Sequence, residues 1–201
     1  MLNLRKIAIT GGLSSGKSTV CRLLAEKGAY IVDTDKIVHS LLLSDPKIRE
    51  QVVSLLGSSI VVDDKIDRKA IADKVFSHPE TLKSLELILH PAVFHELELQ
   101  YQNEKDNPKY NLFVAEVPLL YETESTKLFD FIIVVLSEKE LCIDRFIKNH
   151  KGSNQSFNQR MQRQMQPSQK AAKAQFILIN NESIEKLEKQ VTNLLTKICS
   201  I

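Results

Sequence analysis

Gly11 to Ser18 read GGLSSGKS and directly follow the apolar run Ile7-Ala8-Ile9. The spacing is G-x-x-x-x-G-K-[ST], set between an apolar strand and a helix, which is the context a phosphate-binding loop requires. Gly11, Gly12 and Gly16 let the backbone turn tightly and approach an anion closely. The N–H groups of Leu13, Ser14, Ser15 and their neighbours then converge on a phosphate, with the positive end of the next helix behind them. Lys17 adds a mobile positive charge for the β- and γ-phosphates of a nucleotide. Ser18, followed by Thr19, adds a hydroxyl for Mg²⁺. The plain alternative is a glycine-rich turn that binds nothing; pattern and context together favour the phosphate.

Carboxylates are the second requirement of such chemistry. Asp33-Thr34-Asp35 follows the apolar Tyr30-Ile31-Val32, and Glu116 follows Leu112-Phe113-Val114-Ala115. In a sheet of parallel strands, ligands bind beyond the carboxyl ends. Asp33, Asp35 and Glu116 are therefore expected on the edge that carries the phosphate loop. Either aspartate also suits a helix cap, and Asp35 reads as the better-placed of the two.

The elements that position these groups alternate. Strands are expected at 7–10, 30–32, 112–115, 131–136 and 176–179, with helices between them. The first helix runs from about Gly16 to Glu26. Asp45-Pro46 opens another that stops near Gly57. Asp67 caps a short one, which His78-Pro79 interrupts. A long apolar stripe, Leu82, Leu85, Leu89, Val93 and Leu97, follows, and Pro91 should kink or split it. Ser137 starts a helix towards His150, and residues 151–155 form a polar loop. The run Ser156-Phe157-Asn158-Gln159 has the form of a capping box. Ser183 caps a last helix with Ile184, Leu187, Val191, Leu194, Leu195 and Ile198 inward. Strands apolar on both faces, alternating with helices, mean an α/β fold with a parallel sheet covered on both sides.

The 201 residues suit one domain with room for a small insertion. A net charge of +2 gives no basic field for nucleic acid. Cys21, Cys142 and Cys199 are widely spaced and odd in number, which argues against a disulfide framework and fits a reducing compartment. Cys21 reads as a packing residue rather than a reactive one. No apolar run approaches the roughly 20 residues that span a bilayer, and Gly11 and Gly12 interrupt any leader-like stretch. A cytoplasmic protein is expected, with no membrane, nucleic-acid or protein partner.

A phosphate loop alone does not choose between a switch, a motor and a kinase. None of the six glycines has Asp three positions before it, so no D-x-x-G of a GTPase switch is present. No N-K-x-D guanine reader occurs either. A larger motor needs more chain. What remains is a small kinase acting on a small hydroxyl- or phosphate-bearing molecule.

Several runs together resemble the dephospho-coenzyme A kinase family: Thr10 to Val20 with Ile31-Val32-Asp33-Thr34-Asp35, Ile66 to Ala72, Leu85-Glu86 with Ile88-Leu89-His90-Pro91, Val117-Pro118-Leu119-Leu120-Tyr121-Glu122, Arg160-Met161 with Gln164, and Ile177 to Asn180. They cover nearly the whole chain in order. The resemblance implies a P-loop kinase fold: a five-stranded parallel sheet with helices on both faces, a helical acceptor-binding region at about 36–105 and a small lid at about 145–170. It implies transfer of the γ-phosphoryl group of ATP to the ribose 3′-hydroxyl of dephospho-CoA, with Mg²⁺ as cofactor.

On that resemblance Lys17, Asp33 and Arg145 are the catalytic candidates, Asp33 as the group that orients the acceptor hydroxyl and takes its proton. ATP falls to Gly11 through Thr19 and to Asn180. Asp33, Asp35, His90 and Arg160 are candidates for the acceptor, and Ser18 and Glu116 for the metal. Each has a bland alternative: an ion pair for Glu116, a solvated face for Arg145 and Arg160, a structural kink residue for His90 and a turn residue for Asn180. The chain departs from the pattern at Glu116, where Asp is usual, at Asn149, where Arg is expected, and at Gln175, where Asp is expected. Rival readings are a nucleoside monophosphate kinase or other small-molecule kinase on the same fold, and a nucleotide-binding regulatory protein without turnover.

Overall fold

Strand β1, Arg5–Gly11, runs through the middle of the molecule's main sheet. The computed structural model describes residues 4–76, 78–150 and 152–200. Lys151, in the loop expected at 151–155, lies outside the described residues. After β1 come α1, Lys17–Glu26, and β2, Ala29–Asp33. Strands β3, Val61–Val62, and β4, Lys65–Ile66, form a separate hairpin. The main sheet is completed by β5, Leu112–Glu116, β6, Phe131–Leu136, and β7, Phe176–Ile179. Its order is β2-β5-β1-β6-β7. Strand β1 is parallel to β5 and to β6, and β6 to β7.

The sheet forms because its strands are apolar on both faces. Ile7, Ile9, Val114, Ile133 and Val135 are fully buried on one face, packed with Val20, Cys21 and Leu24 of α1. The last helix, α9, Ile184–Cys199, adds Leu187, Val191 and Leu194 to that cluster. Cys21 is thus a packing residue. Ile184, expected to face inward, is instead exposed, in the first turn of the helix. Ala8, Phe113, Ile132 and Val134 alternate to the opposite face. Helix α8, Pro167–Ala172, lies against β1 and β6 there. The connections from β1 to β2 and from β6 to β7 run in opposite directions across the sheet, which, with the usual right-handed crossover, sends their helices to opposite faces.

The chain divides into two compact units, one of residues 1–32 with 104–201 and one of residues 33–103. The second is helical: α2, Thr34–Ser44, α3, Pro46–Leu56, α4, Arg68–Phe76, and α5, Pro79–Glu104, which ends at the border. Its own core joins Leu42, Val52, Leu56, Ile60, Ile71 and Leu89.

Asp45 caps α3 as expected, accepting from the Ile48 N–H at 3.0 Å, with Pro46 at the first helical position. Helix α5 is one continuous helix through Pro91, so of the expected kink or split the split does not occur. Proline at 91 removes the hydrogen bond to the Leu87 carbonyl. Leu87 is 70% exposed, so water can satisfy that carbonyl. The hairpin β3–β4 has no turn glycine to signal it in the sequence. Its turn residues Asp63 and Asp64 both have positive φ, 48° and 58°, the backbone of a tight two-residue turn.

In the first unit, α6, Lys139–His150, begins two residues beyond Ser137, which is not its cap. Helix α7, Asn154–Met161, starts earlier than expected. Its cap is Ser153, paired with Ser156 in a reciprocal box, because Ser156 sits three residues inside rather than at the start.

Replacing Asp45 by Ala should lower stability by about 1 kcal/mol, the usual cost of losing an N-cap. Urea unfolding checks this: the midpoint should fall with the slope unchanged.

Candidate active site

The loop between β1 and α1 owes its shape to positive φ angles. Gly16 has φ 100° and Ser14 φ 57°, so the chain coils and its N–H groups point inwards. Gly16 sits at the α1 N-cap in a left-handed conformation. A Cβ there would also collide with the side-chain amide of Asn180. That amide donates to the Ser15 carbonyl at 2.9 Å, binding the loop to the end of β7. Asn180 itself donates from its backbone N–H to the Leu136 carbonyl at 2.8 Å.

Lys17 is buried, and its Nζ donates to the Gly12 carbonyl at 2.9 Å and the Gly11 carbonyl at 3.4 Å. The ammonium therefore lies over the loop. Charged phosphate oxygens are stronger acceptors than neutral carbonyls and can draw it onto a nucleotide. Ser18 Oγ donates to Glu116 Oε1 at 3.0 Å. The register explains the meeting: Glu116, last in β5, pairs with Ile9 two residues before the end of β1. A hydroxyl and a carboxylate, both hard oxygen donors, fit Mg²⁺. Among the described residues no cluster of three or more His, Cys, Asp or Glu offers another cation site. The buried Ser15 hydroxyl finds no hydrogen-bond partner among the described residues.

Arg145, on α6, donates from Nη1 to Ser137 Oγ at 3.0 Å and from Nη2 to the Asn180 carbonyl at 2.9 Å. Arg145, Asn180 and Ser15 thus form one chain from α6 to the phosphate loop. Arg160, on α7, lies 5.4 Å over the Phe146 ring. Phe146 and Phe157 meet edge-to-face at 5.6 Å and, with Cys142, make a small core that includes Leu13 of the loop and Met161. Cys142 is buried, which raises its thiol pKa. A cavity of about 520 Å³ opens between this core and the loop, lined by Gly12, Leu13, Ser15, Cys142, Phe157 and Met161 among others. Its size is ordinary for a small-molecule site. Gln175 accepts the Ile132 N–H through Oε1 at 2.9 Å, a task an amide oxygen performs as a carboxylate does.

In the second unit, Asp33 caps α2. Its Oδ1 accepts from the N–H groups of Asp35 at 3.0 Å and Lys36 at 3.3 Å. The expectation that Asp35 is the better-placed cap is corrected: Asp35 falls in the first turn, because the helix starts at Thr34. Capping engages one carboxylate oxygen of Asp33; the other, Oδ2, lies 3.6 Å from Lys36 Nζ. His90, on α5, tilts against Phe94 with ring centres 6.3 Å apart. Burial lowers its pKa and the neighbouring Glu86 charge acts against that, so the neutral ring is favoured.

A family model described as dephospho-CoA kinase matches residues 5–186. The chain belongs to the dephospho-CoA kinase family. A dephospho-CoA kinase of Protochlamydia amoebophila is 46% identical over 199 residues, 98% of each chain. Among solved structures, a Thermus thermophilus protein has a TM-score of 0.82 at 30% identity, covering 96% of this chain and 97% of its own. The Campylobacter jejuni dephospho-CoA kinase has a TM-score of 0.64 at 26% identity, with the same coverage. The fold is therefore that of the P-loop kinases: a five-stranded sheet with helices on both faces.

Sequence reasoning missed Lys170 and Glu122: Lys170 is fully buried and pairs with the partly buried Glu122 at 2.9 Å in the first unit. Glu122 lies in a run quoted for the resemblance, but a lysine on a short polar helix carries no signal of burial.

Gly16→Ala should strain the loop and displace Asn180. Expected are an affinity for a fluorescent ATP analogue at least tenfold lower and a melting temperature lower by roughly 5 °C. A titration and a thermal melt check both.

Proposed function

We propose that the protein transfers the γ-phosphoryl group of ATP to the ribose 3′-hydroxyl of dephospho-CoA, giving CoA and ADP. The family match across residues 5–186 carries the choice of acceptor. The Ser18–Glu116 contact behind the glycine loop supports phosphoryl transfer, since that chemistry needs a hydroxyl and a carboxylate facing the phosphates.

In this reading Gly11 through Thr19 bind the ATP phosphates and Lys17 follows the charge that develops towards the β/γ bridge. Ser18 and Glu116 hold Mg²⁺, which neutralises phosphate charge when bound. Arg145 and Asn180 shape the nucleotide end of the site. Asp33 orients the acceptor hydroxyl and takes its proton late in the reaction. Its engagement at the α2 cap helps here, because one oxygen fixes the side chain, while the other faces the exposed Lys36 ammonium, a contact that the hydroxyl would share or replace. Asp35, His90 and Arg160 contact the acceptor, with residues of about 36–105 forming its binding region. Residues of about 145–170 act as a lid that excludes water. No helix among the described residues is long and apolar enough to cross a membrane. The substrates are polar, and we place the protein in the cytoplasm with no nucleic-acid, membrane or protein partner.

A coupled ADP-release assay with dephospho-CoA, adenylate, adenosine and shikimate tests the acceptor. Dephospho-CoA should turn over well above the others; turnover of another acceptor alone would overturn the reading. Lys17→Ala should reduce turnover by at least about a hundredfold in a folded protein, the scale of losing one preorganised electrostatic partner.

Asp33→Asn should lower kcat by roughly a hundredfold, with ATP affinity little changed. Asp35→Asn should do less. The same assay, with ATP titrations of both variants, separates the two roles; reversed losses would assign the proton to Asp35.

A further inference from the structure

Lys170 is completely buried on α8. Its Nζ donates to Glu122 Oε1 at 2.9 Å and to the Pro118 carbonyl at 2.7 Å. Glu122 Oε1 also accepts the Met165 N–H at 2.7 Å. The Pro118 carbonyl is shared with the hydroxyl of Thr10, at 3.3 Å, and Thr10 is buried near the end of β1. One ammonium therefore ties α8 to the loop after β5, and through Pro118 to the strand that leads into the phosphate loop.

Stability is a poor reason for such a pair. Lys170 loses its hydration on burial and the partly buried Glu122 loses much of its own, and apolar residues of similar volume often serve stability as well or better. Here the pairing is also incomplete. Glu122 Oε2 and Gln164 Oε1 are buried without a hydrogen-bond partner among the described residues. Burial pulls the Lys170 pKa down while Glu122 pulls it back up. What the pair does deliver is geometry. It fixes the loop that follows Glu116, the acceptor of the Ser18 hydroxyl. It also fixes α8, whose first residue, Pro167, sits so close to Gly12 that a Cβ there would lie 3.3 Å from Pro167 Cγ.

We propose that Lys170 and Glu122 are positioning residues for phosphoryl transfer, holding Glu116 on one side and Pro167 on the other in register with the phosphate loop. The proposal rests on the phosphotransferase reading above. An error of about 1 Å in such a site can cost a hundredfold in rate, so losing the pair should act on turnover more than on binding.

The test uses the full chain with Lys170→Met, Glu122→Gln and the double variant. Each is assayed below its own melting transition, with kcat and the KM for ATP measured separately. Hydrogen exchange is followed over residues 162–170. Each single variant should lower kcat at least about tenfold, with the KM for ATP within about threefold, and exchange should accelerate. The double variant should be no slower than the slower single variant, because the two side chains act as one unit. Folded single variants with near-normal kcat, or losses that multiply in the double, would overturn the proposal; so would a change confined to melting temperature. If Lys170→Met does not fold, Glu122→Gln decides alone, by the same kcat and KM criteria. If the wild-type protein itself fails to phosphorylate dephospho-CoA, the functional reading falls. The exchange comparison still decides whether the pair holds the segment.

Discussion

Strand β1 is hydrogen-bonded on both sides, and the place where it stops governs the chemistry of the first unit. On one side Ile9 pairs with Glu116, and on the other Gly11 pairs with Val135. Those registers cannot slip by one residue without turning every buried side chain to the wrong face. The end of β1 is thus fixed against a carboxylate and against β6. Gly11 approaches the Val135 carbonyl so closely, at φ 149°, that a side chain would have no space. The chain leaves the sheet there and coils. Lys17 and Ser18 then emerge at the start of α1, Ser18 within reach of Glu116.

Two buried ammonium groups illustrate how differently one residue type is used. Lys17 is held over its loop by the carbonyls of Gly11 and Gly12. Lys170 is held by a carboxylate and a carbonyl. The second arrangement, a charge-assisted bond to a carboxylate, is a strong one and suits a group that stays where it is. Arg145 resembles the second in being engaged by Ser137 and Asn180, yet its guanidinium has more donors than those two contacts use.

Much of this was legible in the residues. The glycine loop, the parallel order, the Asp45 cap and the meeting of Ser18 with the strand ending at Glu116 all follow from local pattern and from the rule that ligands gather at the carboxyl ends of strands. The misses have physical causes. Asp33 rather than Asp35 caps α2 because a helix start is set by backbone dihedrals that two nearby aspartates leave ambiguous. The Asp63-Asp64 turn was invisible because tight hairpins usually announce themselves with glycine. Pro91 passes through α5 because the freed carbonyl faces water, and exposure is a tertiary property. The Lys170–Glu122 pair joins residues 48 positions apart in the chain. No periodicity reports a contact of that kind.

The strand order has an evolutionary consequence. Strands β2 and β5 are neighbours in the sheet, yet the whole unit of residues 33–103 is spliced between them in the chain. A segment that departs from one strand and returns to the adjacent one imposes no demand on the order of the others. Such a segment can lengthen, shrink or be exchanged between lineages while the loop, its lysine and its carboxylate stay as they are. The helical unit can then vary in length and composition separately from the sheet that carries the glycine loop.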